Sequence, residues 1–133
     1  MRSATLVAIA LLCAGCAASP PPRCPEGQQP FVSALIYFGT ATPDGVVSTQ
    51  AWNDFLRDQV TPRFPQGLTT WDANGQWLSK DGTLTREDSH VLNLVYHDDA
   101  SNENSIQTIV SEYKKQFRQE AVLRVTANSC IAF

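Results

Sequence analysis

The chain has no run of about 20 apolar residues, so it offers no ordinary membrane-spanning helix. Its longest apolar stretch, Ala4 to Leu12, is nine residues and is broken by Thr5. It also lacks a basic block: ten Lys and Arg stand against thirteen Asp and Glu, for a net charge of −3 at pH 7. Phosphate backbones require clustered cations, so nucleic acid is excluded as a partner. Histidine is scarce, with only His90 and His97, and no HxxxH spacing exists; the one CxxC, Cys13 to Cys16, closes the N-terminal apolar segment, so no metal site is expected. The phosphate-cradling GxGxxG and GxxxxGK loops are missing, and so is the GxSxG elbow. Ser89-His90 without such an elbow does not carry a catalytic triad. No cofactor is expected.

What is present starts at the N-terminus. Arg2 gives a positive start, the Ala4–Leu12 run follows, and Cys13-Ala14-Gly15-Cys16 closes the segment. That order reads as a bacterial export leader ending in a lipobox, with cleavage before Cys16 and lipid attachment to its thiol. Leu is the commoner residue at the position of Cys13, so simple secretion remains the alternative. Ala17 follows the cysteine where an Asp commonly holds such proteins at the inner membrane. The expected address is therefore the cell envelope, lipid-anchored, at the outer membrane and facing the periplasm. Losing Arg2 with the leader leaves nine basic against thirteen acidic side chains. The lipid, not a polybasic patch, would make the membrane contact.

Residues 1–15 are thus read as leader, 16–30 as tether and 31–133 as one domain with one core. The tether holds Pro20, Pro21, Pro22, Pro25 and Pro30, which favours extended chain. Cys24 and Cys130 remain after Cys13 and Cys16 are assigned. An even pair in an oxidising compartment points to a disulfide, with two free thiols as the alternative.

Phe31 to Phe38 is apolar at both alternating sets of positions, the pattern of a central strand. Pro43-Asp44-Gly45 marks a turn. Ser48 or Thr49 caps a helix whose Trp52, Phe55, Leu56 and Val60 share a face, ended by Pro62 and Pro65. Leu68 to Leu78 reads as strand or hairpin, with Asn74-Gly75 as a tight turn. Lys80-Asp81-Gly82 is a further turn, Thr83 to Glu87 pairs briefly, and His90 to Tyr96 is a strand. Asp98 and Asp99 beside His97 suit a helix start better than a metal or acid–base cluster. Ile106, Ile109, Val110, Tyr113 and Phe117 give the stripe of a second helix, and Ala121 to Thr126 the last strand. The order β-α-β-β-α-β predicts an α+β, ferredoxin-like domain: an antiparallel sheet with two helices on one face. In that arrangement the first and last strands are antiparallel neighbours. Cys24, before the first, and Cys130, at the end of the last, would then lie close together.

Tyr37-Phe38-Gly39, Val60-Thr61-Pro62-Arg63-Phe64-Pro65 with Gly67-Leu68-Thr69, Gly75-Gln76-Trp77, Arg86-Glu87 and Gln119-Glu120-Ala121-Val122-Leu123-Arg124 resemble a bacterial family known as domain of unknown function 3574. The resemblance covers about residues 31–128. It implies kinship and export, and no chemistry. Gln66 stands where that stretch is expected to carry Asp.

A polar group drawn from these motifs, Arg63, Gln76, Trp77, Arg86, Glu87 and Arg124, is the candidate ligand site. Arg and Trp together suit a carboxylate or a ring-bearing ligand. The competing account is an ion-pair network that fixes strand register, such as Arg86 or Arg124 with Glu87 or Glu120. No catalytic residue is assigned. Two helices cover only one sheet face, and the first strand is apolar on both. The other face therefore invites a partner, either a second copy or residues 131–133 folded over it. The leading expectation is a non-catalytic envelope domain that binds a small molecule or a protein. The rival is a cofactor-independent enzyme, a monooxygenase or isomerase, of the dimeric α+β barrel kind. Replacing Cys16 by Ser is expected to abolish metabolic lipid labelling and leave the protein unprocessed or unanchored; labelling that persists would refute the lipobox.

Overall fold

The computed structural model describes residues 23–78 and 80–133, with the backbone alone at Trp77. The leader, Cys16 and residues 17–22 of the tether lie outside these residues. In chain order the elements are β1 (Gln29–Gly39), a small hairpin of β2 (Ala41–Thr42) and β3 (Gly45–Val46), α1 (Thr49–Phe55) running into a π-helical turn (Leu56–Val60), β4 (Thr69–Leu78), β5 (Leu84–Tyr96), α2 (Ala100–Phe117) and β6 (Leu123–Ile131). The main sheet is ordered β4-β5-β1-β6, and each neighbouring pair is antiparallel. The fold is mixed α/β, with an antiparallel sheet and two helices.

β1 is central because both of its faces are apolar. Val32, Ala34, Ile36 and Phe38 are buried, while Phe31, Leu35 and Tyr37 are half-buried on the opposite face. The first set packs with Trp52, Phe55 and Val60 and with Ile106, Ile109 and Tyr113, so both helices cover one face. Near Gly39 the core is aromatic: the Phe38 ring lies 4.5 Å from Tyr113 and 5.3 Å from Trp52, centroid to centroid. α1 begins where Ser48 accepts a hydrogen bond from the Ala51 amide. α2 begins where Asp99 accepts one from the Asn102 amide at 2.8 Å, and ends on Arg118 in the left-handed conformation.

Three expectations change. The first helix widens after Phe55, and the Thr61 amide bonds the Leu56 carbonyl five residues back. At 3.6 residues per turn, the five steps from Phe55 to Val60 would carry Val60 roughly 140° off the buried face. The wider turn returns it, and Val60 is fully buried. Asn74-Gly75 is not a turn but the middle of β4, paired with Asp88 and Glu87. The Asn74 side-chain amide donates to the Asp88 carboxylate across the strands, which holds it in the ladder. The hairpin instead turns near Asp81, whose carboxylate accepts from the Thr83 amide, and Gly82, which takes φ +85°. With that turn in place, Thr83 to Glu87 and His90 to Tyr96 merge into the one strand β5.

β1 and β6 are antiparallel neighbours, with Pro30 opposite Cys130. Cys24 and Cys130 form a disulfide across 106 residues, with Cα atoms 5.5 Å apart. It ties the described end of the tether to the outer strand. Mass mapping of the non-reduced protein should link the two cysteines. Replacing both by Ala is expected to lower unfolding stability by about 2–5 kcal/mol in denaturant titrations.

Candidate functional site

The site is built at the end of β1. There the strand stops at Gly39, and the Thr40 amide and hydroxyl both donate to the Asp88 carbonyl. From the helix side, the Tyr113 hydroxyl donates to the Gly39 carbonyl at 2.9 Å. From the open side, the Glu87 carboxylate lies over the bare Cα of Gly39. A Cβ at that position would sit 2.3 Å from Glu87 Oε1 and 3.3 Å from Gln119 Oε1. Gly75 faces Glu87 across the ladder, so the position opposite is also bare. Sequence alternation puts Glu87 on the open face, with Ser89 and Val91 following it at every second residue.

The walls come from loops. Gln119 donates to the Ala41 carbonyl, and Arg118 pairs with Asp44. These contacts join the loop after α2 to the β2–β3 hairpin. The result is an open cleft of about 720 Å³, with Tyr37, Gly75, Gln76, Ser89, Glu120 and Leu123 on its other sides. Glu87 is half-buried, and no described residue hydrogen-bonds or ion-pairs with its carboxylate. Burial pushes the Tyr113 phenol well above its usual range, and the negative charge of Glu87 adds to that shift. The arrangement offers an acceptor of negative charge beside apolar and hydroxyl-bearing surface, which suits a cation or a hydrogen-bond donor.

Of the five candidate residues whose side chains are described, Gln76 and Glu87 line this cleft and Arg63, Arg86 and Arg124 do not. Arg86 is exposed and lies opposite Gln76. Trp77 sits in β4 opposite Thr85, and its side chain lies outside the description. Two expectations are corrected. Arg63 is held at the end of the first helix, where it donates to the Gln59 carbonyl at 2.6 Å. Arg124 pairs with Ile36 in register and so falls on the helix side, where it bonds Glu103 of α2 at 3.0 Å. The ion pair that fixes β6 is thus Arg124–Glu103, with neither Glu87 nor Glu120. The Arg124 bond, followed by one from Gln107, holds the Glu103 carboxyl below its usual range. Tyr37, Gly39, Gly75, Ser89, Gln119 and Glu120 were not among the six. Five of these stand in the quoted motifs, and a glycine closing an apolar strand was the available signal.

A second cleft, of about 550 Å³, opens at the other end of the sheet between Phe31, Phe64, Leu68, Tyr96 and Phe133. The His97 ring lies tilted against Phe31 there, with centroids 4.1 Å apart. His90 is buried against Trp52 at 4.8 Å, and its Nδ1 lies 2.7 Å from Asp72. A carboxylate only accepts, so Nδ1 carries the proton and donates. Among the described residues, no group of three or more His, Cys, Asp or Glu is placed to hold a metal, and no helix is long and apolar enough to cross a membrane.

Residues 33–133 match the model of a family described as "Protein of unknown function (DUF3574)". The chain belongs to that family. The motifs that carry the resemblance bracket the Gly39 cleft: Tyr37 and Gly39, Gly75 and Gln76, Glu87, and Gln119, Glu120, Ala121 and Leu123. No curated protein matches the chain. Among solved structures it is similar to a phage SAM lyase in complex with S-methyl-5'-thioadenosine, at 19% identity and a TM-score of 0.54, covering 86% of this chain and 97% of the other. The same lyase in its apo state aligns at 20% identity, with a TM-score of 0.52 and the same coverage. At such identity the likeness is one of fold.

Tyr113 gives a test of the floor of this cleft. Its folded pKa is raised, so the stability it contributes is complete below the unfolded phenol's pKa of about 10 and is lost as pH rises past it. Tyr113→Phe is expected to cost about 1 kcal/mol at neutral pH, from the lost bond to Gly39. It should also flatten the alkaline loss of stability, as read from urea midpoints across pH.

Proposed function

We propose that the domain is an exported, lipid-anchored binding module that holds a small molecule in the Gly39 cleft. The reading is carried by one observation: a half-buried Glu87 carboxylate without a partner among the described residues, laid over glycine on one side and opposite glycine on the other. Water solvates the carboxylate while the cleft is open, and a ligand that displaces that water must bring a cation or donor in its place. A ligand presenting an amine, guanidinium or sulfonium group to Glu87 and an apolar or ring portion to Tyr37 and Leu123 fits that chemistry. The disulfide supports export, because such bonds persist in oxidising compartments. We also place the fold, at the finer level, in the ferredoxin-like class. The order β4-β5-β1-β6 supports this: the helical connections from β1 to β4 and from β5 to β6 each pass over one intervening strand.

A second reading, catalysis without a cofactor, is favoured by the same carboxylate lying in a cleft with Ser89 and Tyr37. The structural likeness to a lyase adds a substrate worth testing. Calorimetric titration of the full chain with S-adenosylmethionine, a sulfonium with an adenine ring, and with a panel of small primary amines should give at least one saturable isotherm. Glu87→Gln, isosteric and neutral, is expected to weaken that binding about tenfold or more, as loss of a charge-assisted contact does. Affinity unchanged in Glu87→Gln, or no binding across the panel, would overturn the assignment. Release of S-methyl-5'-thioadenosine or another product on incubation would move the protein to the second reading.

A further inference from the structure

The face of the sheet turned away from the helices is close to uncharged. The strand register puts Leu35, Tyr37, Val91, Trp71, Leu123 and Val125 side by side on it. At its centre the Ser33 hydroxyl donates to the Asn93 side-chain oxygen, which joins these two polar side chains within the face. Glu87, at the rim, is the sole charged strand residue on this side among the described residues. Several of the apolar side chains are well exposed: Leu123 is 61%, Val125 48%, Trp71 44% and Val95 39% accessible. The last residues do not shield them. Phe133 is fully exposed and reaches Phe31 only edge-on, at 6.5 Å between centroids.

We infer that this face pairs with the same face of a second copy of the chain. The face comes close to the size that a pairing takes. Four strands spaced about 4.8 Å apart and roughly 10 residues long, at about 3.4 Å each, span roughly 650 Å² before side-chain relief is counted. A stable interface takes about 800 Å² from each partner. Isolated monomers rarely leave an apolar patch larger than a few hundred Å² in water. Charge decides which occupant fits. With its described charge confined to Glu87 at the rim, the interior of the face meets a second copy without like-charge repulsion, and each copy brings the flat, apolar surface that sheet-on-sheet packing uses. The pairing would also lay one copy across the open side of the Gly39 cleft, since Tyr37 and Leu123 belong to both. It stands whether or not that cleft holds a ligand.

Two differently tagged full chains, expressed together and captured by one tag, test the inference. The second tag is expected to be retained with the wild-type pair. Leu123→Arg and Val125→Arg, both at exposed positions, should each cut retention about tenfold or more while leaving thermal unfolding within a few degrees of wild type. Absence of the second tag from the wild-type capture would overturn the pairing. So would retention indifferent to both substitutions, which would place the contact elsewhere. If the copies fail to associate and the protein instead sediments with phosphatidylethanolamine–phosphatidylglycerol vesicles through Leu123 and Val125, the face belongs to a lipid surface and the inference fails.

Discussion

The constraint on which the structure depends is the two-faced alternation of β1. Side chains alternate with a period of two, so a slip of one residue would exchange the whole of one face for the other. Here both faces are apolar, and what distinguishes them is shape. Phe38, Ile36, Ala34 and Val32 taper from a large ring at one end to small groups at the other, and the aromatic cluster of Trp52, Phe55 and Tyr113 closes on Phe38. That fit fixes the register, and the register fixes everything on the open side. Leu35 and Tyr37 line up with β5 and β6, and Gly39 comes to the point where the ladder ends. The Cys24–Cys130 bond pins the other end of the same strand pair.

Gly39 is where the core and the open face meet through a single residue. Tyr113 reaches its carbonyl from beneath, and Glu87 rests on its Cα from above. Any side chain there would push against the carboxylate. Glycine is needed at this position for space, not for backbone conformation: it is absent from the glycines with positive φ, whereas Gly27, Gly45, Gly67 and Gly82 have it. The loops that wall the cleft are tied to one another by Arg118–Asp44 and Gln119–Ala41. The cleft is therefore framed by contacts outside the hydrophobic core. Substitutions in those loops can reshape it without unpacking the helices.

Periodicity made the core legible in the sequence. β1, the stripe of α2 and the Trp52–Phe55–Val60 face are all patterns of apolar spacing, and burial of that spacing is what holds them. The cysteine pair was legible because chemistry and topology converged on it. Asn74-Gly75 misled because the same dipeptide that makes a tight turn can sit in a ladder when its partners, Asp88 and Glu87, offer a bond and need an empty face. The widened turn after Phe55 was not readable, since helical spacing alone does not say when Val60 must be brought back inward. Grouping Arg63 and Arg124 with Glu87 failed for a geometric reason. Side-chain chemistry suggested a common site, but one lies at a helix end and the other on the opposite sheet face. The motifs supplied most of the residues that line the cleft; which of the candidates meet there required the register.

The placement of Glu87 links the two open questions about this domain. Among the described strand residues it is the one charge on this largely apolar face, and it stands at the rim rather than the centre. While the face is open, water solvates the carboxylate and little is lost. If a second copy covers that side, the water goes and the charge loses its solvation, a cost of several kcal/mol unless a cation or donor replaces it. Pairing and ligand binding would then be coupled, each more favourable when the other is present, by the reciprocity that governs any two linked equilibria. A neutral residue at position 87 would remove that coupling and leave the apolar contact intact. The charge would then tune how readily the face closes, and it adds little to the stability of the fold.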